Sequence, residues 1–583
     1  KSPNNDAARW NPLIDEQPGI AVNNTTLTRT FGVAFVELMP FAGLTLRSNL
    51  GMLFTNSRQG AFFDLNSMLQ RGTNSLGMFG SGREVNATWE NILTYTKKLR
   101  DHNFTLTGVT SFLQNKTEDV NAQGNKLILP SQLFYALQNA TEGVTIRSSY
   151  LKENLVSFSG RLNYSYRGKY LASVTVRTDG SSKLGENNKW DVFPAVALGW
   201  RISDEPFLMN SRTISDLKLR VSYGVTGNDA IAPYRTQSAL TRIPNAFGEN
   251  PALGLTFSDT VGNPNLKWEK TKAFNVGVDI GFLNNRLSGT IDFYQTRTSD
   301  LLTIKQLPPT SGVSYVYDNV GETSNTGIDI GLNAAIISRK DVALNAGITF
   351  YSNKEKITAM ANGVDDVANK WFVGHPVSVS YDYRKVGIWQ LADSVEAATY
   401  NQKPGDIKVA DLNGDKKITP LDREVVGQLV PKWNASLNLD FRYKAFDLNV
   451  FIFARMGQTI EYAYYTRFHL PGRENGAVVN YWTTENPSND FPRPRTTSSF
   501  AALPYSSTLT YADGSFWKIR SITLGYNVPK RLTGRIGMSN VRLYVTGKNL
   551  FTFSKVTDYD VERGGSLINP LTELIVAGIN VDF

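Results

Sequence analysis

Long segments in which apolar and polar residues alternate are the feature that most restricts how this chain can fold. In Trp433–Tyr443 every second residue is apolar or aromatic, and the residues between them are Asn, Ser, Asp and Arg. The same pattern recurs in six further segments: Phe274–Phe282, Leu217–Val225, Val156–Tyr166, Leu287–Phe293, Ile328–Ile336 and Phe446–Ala454. A period of two residues predicts β-strands that have one apolar and one polar face.

The number and length of these segments indicate a membrane. We count roughly sixteen to eighteen of them, each about nine to twelve residues long, whereas strands of soluble proteins average about five or six residues. A tilted strand of about nine to eleven residues crosses the apolar part of a bilayer. The 583 residues are 41% hydrophobic, and they contain no apolar run of about 18 residues that would predict a transmembrane helix. The predicted fold class is an all-β, transmembrane antiparallel β-barrel.

The connections between these segments are of two kinds. Short ones are expected at Phe41–Gly43, Arg167–Lys169, Asn284–Asn285 and Lys444–Ala445, and long ones around 57–82, 180–189, 226–264, 391–430 and 457–513. Outer-membrane barrels have short periplasmic turns and longer extracellular loops, which matches this pattern. Four tryptophans stand near strand starts, where an aromatic girdle would lie: Trp190, Trp268, Trp433 and Trp517. Ordinary packing is the alternative interpretation of each tryptophan.

Composition excludes several classes of function. The chain has no cysteine, so a disulfide, a thiolate metal site and a cysteine nucleophile are excluded. The net charge is +9, but the Lys and Arg residues are scattered singly, which indicates a mildly basic surface rather than a nucleic-acid site. The three histidines, His102, His375 and His469, have no metal-binding spacing and are read as surface or structural residues. No pair of acidic residues stands out as catalytic, and an enzyme is not predicted.

One loop, around 404–428, contains an EF-hand-like motif for calcium. Its predicted ligands are Asp411, Asn413, Asp415, the backbone carbonyl of Lys417, Thr419 and Asp422. Oxygen ligands at positions 1, 3, 5, 7, 9 and 12 suit Ca²⁺. Two departures are Lys416, where a glycine normally permits the turn, and an Asp in place of Glu at position 12. Calcium is the only cofactor predicted, and the alternative is a polar loop held by Asx turns.

Aromatic residues between the strands are the predicted substrate-binding residues, because aromatic faces stack on sugars or peptide side chains. They are Trp371, Phe372, Tyr462, Tyr464, Tyr465, Phe468 and Trp482. The alternative is packing within loops or contact with a lid protein. The chain finishes on an alternating segment that ends at Phe583, which resembles the signal that the outer-membrane assembly machinery reads.

Five segments, taken in order, resemble the SusC/RagA-like branch of TonB-dependent transporters of Bacteroidetes. They are Arg177–Trp200, Leu217–Asn228, Asn263–Glu269 (NPNLKWE), Asn319–Gly327 and Gly547–Phe553. The resemblance implies a barrel of about 22 strands filled by an amino-terminal plug. It also implies TonB-coupled import of an oligosaccharide or peptide, a SusD-like surface lipoprotein as partner, and contact with outer-membrane lipid and lipopolysaccharide.

We therefore interpret residues 1–583 as a partial barrel domain, and expect the plug and the TonB box to lie outside this chain. Three other readings remain open at this point. They are a passive porin, a structural barrel in an envelope complex, and a soluble all-β enzyme or lectin. Steady conductance would favour the first of these, and extraction without detergent would favour the last.

Overall fold

The computed structural model describes residues 11–247, 250–258, 260–360, 363–462, 478–494, 503–534, 537–564, 569 and 571–582. The first fourteen strands are β1 (Ala21–Leu38), β2 (Leu44–Phe63), β3 (Leu76–Leu99), β4 (His102–Leu127), β5 (Ala140–Tyr166), β6 (Tyr170–Ser181), β7 (Trp190–Arg201), β8 (Ile214–Asn228), β9 (Leu240–Phe247), β10 (Asn250–Phe257), β11 (Thr260–Val261), β12 (Glu269–Phe282), β13 (Leu287–Ser299) and β14 (Leu302–Gln306). The other strands are β15 (Tyr315–Asn319), β16 (Glu322–Ser338), β17 (Val342–Ala359), β18 (Val379–Tyr383), β19 (Lys385–Ile388), β20 (Ile407–Val409), β21 (Arg423–Gln428), β22 (Trp433–Tyr443), β23 (Phe446–Met456), β24 (Thr459–Glu461), β25 (Tyr511–Asp513), β26 (Phe516–Asn527), β27 (Asn540–Ser554) and β28 (Leu574–Asp582).

Helices are few and short in the described part of the chain. Two α-helices span Ser394–Thr399 and Lys530–Thr533. Short 3₁₀ turns occupy Pro12–Ile14, Pro130–Gln132, Leu137–Asn139, Glu186–Asn188, Ile202–Asp204, Pro309–Ser311, Leu391–Asp393, Pro420–Asp422 and Ser506–Thr510. None of the described helices has the length and apolar character needed to cross a membrane.

Seventeen of the described strands form one sheet, consisting of β1–β8, β12, β13, β16, β17, β22, β23 and β26–β28. Strands β1 to β6 pair antiparallel in chain order. Strands β13, β16, β17, β22, β23, β26, β27 and β28 also pair antiparallel in chain order. This confirms the predicted all-β class and the predicted number of sixteen to eighteen strands.

The chain divides into two compact units. The first comprises 1–197, 224–271 and 300–320, and the second comprises 198–223, 272–299 and 321–583. In the first unit, alternate side chains of β2–β6 form two contrasting faces. The apolar face includes Leu46, Leu50, Trp89, Leu93, Leu106, Phe158, Leu162, Val174 and Val176, and the polar face includes Arg47, Glu90, Thr107, Ser157, Arg161, Asn163, Thr175 and Arg177. Many residues of the apolar face are exposed in the chain alone, as expected for a surface that contacts lipid.

Strand lengths follow the prediction in one part of the sheet and depart from it in another. Strands β22 and β23 have 11 residues each, and β26 has 12. Strands β3, β4 and β5 have 24, 26 and 27 residues, so the predicted length of nine to twelve residues is wrong for them. At about 3.3 Å per residue, 26 residues extend for about 86 Å, well beyond an apolar layer of about 30 Å. The excess length is paired hairpin outside that layer.

Two predicted loop ranges need correction. The connection between β2 and β3 is 64–75 rather than 57–82, because residues on both sides remain paired. The glycines of the range 57–82 are typical of loops. Gly60, however, lies within β2, where a Cβ would lie 2.1 Å from the Phe134 ring, so the absence of a side chain makes room for that ring. The connection between β17 and β22 spans 360–432 and contains β18–β21, which extends the predicted range of 391–430. The predicted short turns lie between strands as expected.

Buried apolar residues of the described chain cluster in the connections and in the strand ends next to them. In the first unit, Leu184, Phe193, Ile231, Leu266 and Trp268 form one cluster, and Phe62, Leu127 and Phe134 form another. Trp268 is only 4% exposed, and its indole Nε1 donates to the carbonyl of Lys189 at 2.8 Å. The girdle prediction is therefore wrong for Trp268, which is a core residue. Trp190 and Trp517 are exposed and stack on Phe158 and Phe553, respectively, as surface aromatics.

Candidate functional site on the polar face and its loops

In the second unit, a charged network crosses β8, β12 and β13 on the face of these strands that carries the polar residues. The Arg220 guanidinium donates two hydrogen bonds to Asp292, each of 3.0 Å, and another to Asp279 at 2.9 Å. Lys218 Nζ lies 3.7 Å from Asp279. A Cβ on Gly277 would lie 2.3 Å from Asp292 Oδ1, so glycine at this position lets the arginine reach across the strand between. Gly277 therefore relieves crowding at this point of the sheet.

A second arginine bridge repeats this arrangement. Arg542 on β27 donates to both carboxylate oxygens of Asp447 on β23, with its Nε at 3.0 Å from Oδ1. The strand between them carries Gly525, where a Cβ would lie 2.5 Å from the same carboxylate. Planar guanidinium groups suit such two-point binding of carboxylates. Sequence reasoning missed both bridges, because the arginine, the glycine and the carboxylate of each lie on three different strands. The signal in the sequence is limited to charged residues at polar strand positions.

Between these bridges the polar face carries amides and hydroxyls. Asn449 donates to Asn438 at 3.0 Å and to Asp440 at 2.6 Å, and Thr349 and Ser436 share a hydrogen bond of 2.6 Å. A shallow groove of about 500 Å³ is lined by Thr349, Ser436, Asn438, Asp440 and neighbouring residues. Neutral donors and acceptors of this kind can bind a polar solute or peptide backbone without a fixed charge requirement.

The long connections of the second unit have a packed core of their own. It contains Ile388, Ile407, Val409, Trp482 and Leu503. The Trp482 indole donates to Gln390 Oε1 at 2.9 Å. Arg493 Nε lies 3.2 Å from the buried carboxylate of Asp406. Tyr511 donates to Asp382 at 3.1 Å, and burial, followed by that carboxylate, raises the pKa of Tyr511. These contacts make the loops an ordered layer.

A second buried cluster of this unit anchors the connection that follows β27. Tyr462, Phe516 and Val561 are buried together with Ile460. Next to them Lys518 is only 1% exposed, and its ammonium lies 2.8 Å from Glu562.

The structure does not bring the predicted substrate aromatics together on one surface. Trp482, Tyr462 and Phe372 are buried in separate places. The Phe372 ring is tilted against the Tyr381 ring, with 4.5 Å between the ring centroids. Burial leaves these three rings no free face for stacking, which argues against the predicted role. Trp371 is half-buried, and substrate binding by this residue stays a prediction. The remaining three, together with the predicted assembly residue, lie outside the described residues: Tyr464, Tyr465, Phe468 and Phe583.

The predicted calcium loop is held by its own hydrogen bonds. Asp411 accepts from the amides of Gly414 and Lys416 at 2.8 and 2.9 Å. Asp422 is fully buried and accepts from Leu412 N at 3.0 Å and Thr419 N at 2.8 Å. These amides, that of Thr419 first, lower the pKa of the Asp422 carboxyl. Such contacts belong to the alternative interpretation of a loop held by Asx turns.

The other predicted calcium ligands are close in sequence. Asp415 accepts from Lys417 N at 2.8 Å, and Asn413 accepts from Asp415 N at 3.0 Å. Within the described ranges, no three His, Cys, Asp or Glu side chains are grouped as metal ligands would be. Calcium binding by Asp411, Asn413, Asp415, Lys417, Thr419 and Asp422 therefore stays a prediction. His102 stacks among tyrosines and His375 lies against Phe372, whereas His469 is outside the described residues.

Comparison with known proteins decides the family. Residues 3–550 match the family described as "TonB dependent receptor-like, beta-barrel". The chain belongs to this TonB-dependent receptor barrel family. It is 34% identical over 537 residues to TonB-dependent receptor P3 of Formosa agariphila, covering 89% of this chain and 52% of the relative. It is 32% identical over 456 residues to TonB-dependent receptor SusC of Bacteroides thetaiotaomicron, covering 75% of this chain and 44% of SusC.

Solved structures agree with this assignment of the receptor barrel. A structure of the RagAB peptide transporter superposes with a TM-score of 0.85 at 25% identity, over 98% of this chain and 63% of that one. The RagAB peptide importer in its open-open state superposes with a TM-score of 0.83 at 26% identity, over 98% of this chain and 62% of that one. The chain spans about half of the length of the curated relatives named above. The predicted SusC/RagA-like resemblance, the barrel fold and the location in the bacterial outer membrane are confirmed. The family is one of receptors rather than enzymes, in agreement with the prediction.

Proposed function

We propose that this chain forms the barrel wall of an active importer that moves an oligosaccharide or a peptide across the outer membrane. The observation that carries the proposal is the superposition on the RagAB peptide transporter over nearly the whole chain. The likeness to SusC supports the same class of transport. In the complete protein we expect TonB to act through a plug that occupies the polar interior.

The polar face supports this role through its chemistry. Its arginine bridges neutralise charge between strands, and its amides and hydroxyls offer hydrogen bonds to a passing solute. The groove that contains Asn438 is open to a polar chain. A wall of this kind can bind many polar solutes weakly, as a conduit requires, because each neutral hydrogen bond has a net value of only about 1 kcal/mol.

We also propose a SusD-like surface lipoprotein as partner. The long hairpins β3–β5 of the first unit and the packed loop layer of the second unit each offer a folded surface for such a protein. Ordered loops favour docking, since less conformational entropy is lost when a partner binds. Copurification of the complete protein with a lipoprotein from outer membranes tests this part of the proposal. As a control, we expect a variant with a replaced loop layer to lose its association with the lipoprotein.

The main experiment is uptake by cells that carry the complete protein. Labelled oligopeptides and oligosaccharides are supplied to a deletion strain and to the complemented strain, with and without an uncoupler of the proton-motive force. We expect uptake of one class only, and loss of uptake with the uncoupler. Uptake that continues with the uncoupler, together with steady single-channel conductance, would instead identify a passive porin. No uptake defect at all would favour a structural barrel.

Two neighbouring substitutions connect the uptake to the polar face. Asn438→Trp places a large ring in the polar groove, whereas Leu437→Trp changes the next residue, which lies on the opposite face of β22. We expect the first variant to lower uptake and the second to retain it. Equal uptake by both variants would contradict a conduit along this face.

A further inference from the structure

A groove of about 740 Å³ lies on the apolar face of β1–β6 in the first unit. Its floor is the cross-strand pair Gly108 and Gly160. In the same row of the sheet, Leu93 pairs with Gly108 and Val176 pairs with Gly160, so larger side chains border the floor. Phe158, in the next row, closes one end. The groove is a trough between side chains on a surface that faces the bilayer.

The floor of this groove is unfilled. A Cβ added to Gly108 or to Gly160 would meet no atom within 4 Å. On the polar face of β3, by contrast, a Cβ on Gly82 would lie 2.4 Å from Asp119 and 2.6 Å from Ser57. The two floor glycines therefore do not make room for any neighbouring side chain of the protein. They leave a space that something outside the protein can occupy.

The groove has a defined depth relative to an aromatic cluster on the same face. His102, Phe104, Tyr164, Tyr166 and Tyr170 have ring centroids 4.8 to 6.4 Å from their neighbours. Aromatic belts of this kind mark the membrane–water interface. Phe104 precedes Gly108 by four residues, so the floor lies about 13 Å further along the strand. That places it at the level of acyl chains.

The same end of the sheet carries positive charge. Lys97 follows Leu93 and Tyr95 on the apolar face and is exposed. Arg167, in the turn between β5 and β6, lies 5.2 Å from the centre of the Tyr166 ring and is paired with Asp101 at 2.8 Å, which offsets its charge. A lipid whose chain enters the groove would place its phosphate near Lys97. Basic residues near the headgroups attract anionic lipids.

We propose that the groove binds one acyl chain of a phospholipid, with the lipid phosphate near Lys97. The connections at this end, 100–101 and 167–169, are short, and short turns of outer-membrane barrels lie on the periplasmic side. The phospholipid leaflet is on that side, which is why the proposal names phospholipid and not lipopolysaccharide. An acyl chain suits the groove because it is flexible and fills an irregular trough. Polar side chains of the lining already have hydrogen bonds within the protein, since Trp89 Nε1 donates to Ser48 Oγ at 3.1 Å and Asn91 Nδ2 donates to Thr110 Oγ1 at 3.4 Å.

The test uses the complete receptor, extracted in mild detergent, stripped of lipid and titrated with phosphatidylglycerol under native mass spectrometry. Gly108→Val with Gly160→Val fills the floor, and valine is favoured in strands. We expect about tenfold weaker retention of one lipid, because the added side chains displace about two methylenes of the acyl chain from the groove. Gly32→Val is the matched control, because Gly32 also has open space around its Cβ and is not part of the groove.

A second pair of variants keeps the test decisive if the valine variant does not fold. Lys97→Glu reverses a charge on the apolar face, and Lys98→Glu reverses the next one on the polar face. Only Lys97→Glu should weaken phosphatidylglycerol binding. Equal binding by all variants would overturn the proposal. So would retention of lipid A in place of phospholipid, or a change of oligomeric state without any change in bound lipid.

Discussion

Replacing the buried lysine of the second unit gives the sharpest structural prediction. Lys518 Nζ lies 2.8 Å from Glu562 and 3.8 Å from Asp560, and both carboxylates are nearly buried. Lys518→Met removes the lysine from both carboxylates. Breaking a buried pair costs about 3–5 kcal/mol. Arg520 still binds Glu562 at 2.8 Å, so we expect the lower end, about 3 kcal/mol, which corresponds to about a hundredfold rise in local opening.

Hydrogen exchange across the connection that follows β27 measures this opening. Amides around Val561 and Glu562 should lose protection in Lys518→Met. The matched control is Lys555→Met, because Lys555 pairs with Asp513 at 3.0 Å while its side chain is 80% exposed. Exposed pairs contribute about 0–1 kcal/mol, so protection should change less than tenfold in the control. Similar exchange in both variants would refute the claim that burial gives the Lys518 pair its strength.

Three further predictions concern the loops of the second unit. Trp482→Ala should destabilise the loop layer by about 3–5 kcal/mol, which would appear as faster proteolysis. Trp371→Ala should leave proteolysis unchanged and weaken substrate binding to the complete receptor. The reverse result would contradict the assignment of Trp482 to the loop core and of Trp371 to the substrate site. Calorimetry should show heat with millimolar Ca²⁺ that is lost in Asp411→Ala, and absence of heat in the unchanged protein would remove the calcium prediction. The pKa of the Asp422 carboxyl is lower in the folded loop than its ordinary value of 3.8. The ionised carboxylate therefore stabilises the folded loop above that pH, and this contribution is lost as the pH falls through the folded pKa. Protection of the Leu412 and Thr419 amides, corrected for intrinsic exchange, should therefore fall in acid, and the transition should be absent in Asp422→Asn.

The alternating pattern predicted most of the sheet, because a membrane strand has to satisfy two solvents at once. Strand β22 has the predicted bounds, and the turn 167–169 separates β5 from β6 as expected. The pattern could not predict the length of β3–β5, since outside the bilayer both faces contact water and the alternation weakens. Residues 57–63 and 76–82 looked like loop for that reason, although they are paired.

The sites were harder to predict, because their geometry depends on contacts between distant residues. Trp482 is an exposed-looking loop aromatic in the sequence, yet it packs with Ile388 and Ile407, which are far from it along the chain. The Arg220 bridge depends on Gly277, which lies on a different strand. Asp411 and Asp422 were recognised as an oxygen-rich loop, but their hydrogen bonds to backbone amides are set by the turn itself.

The most direct test of the fold's orientation compares two neighbouring residues of β5. Leu162 lies on the apolar face and Asn163 on the polar face. Each is replaced in turn by Cys, a residue that this chain otherwise lacks, and is spin-labelled in the receptor in bilayers. We predict that the label at 162 is relaxed mainly by oxygen, which concentrates in lipid, and the label at 163 mainly by a water-soluble nickel complex. Equal relaxation at both positions, or the opposite order, would contradict a wall with one face in lipid.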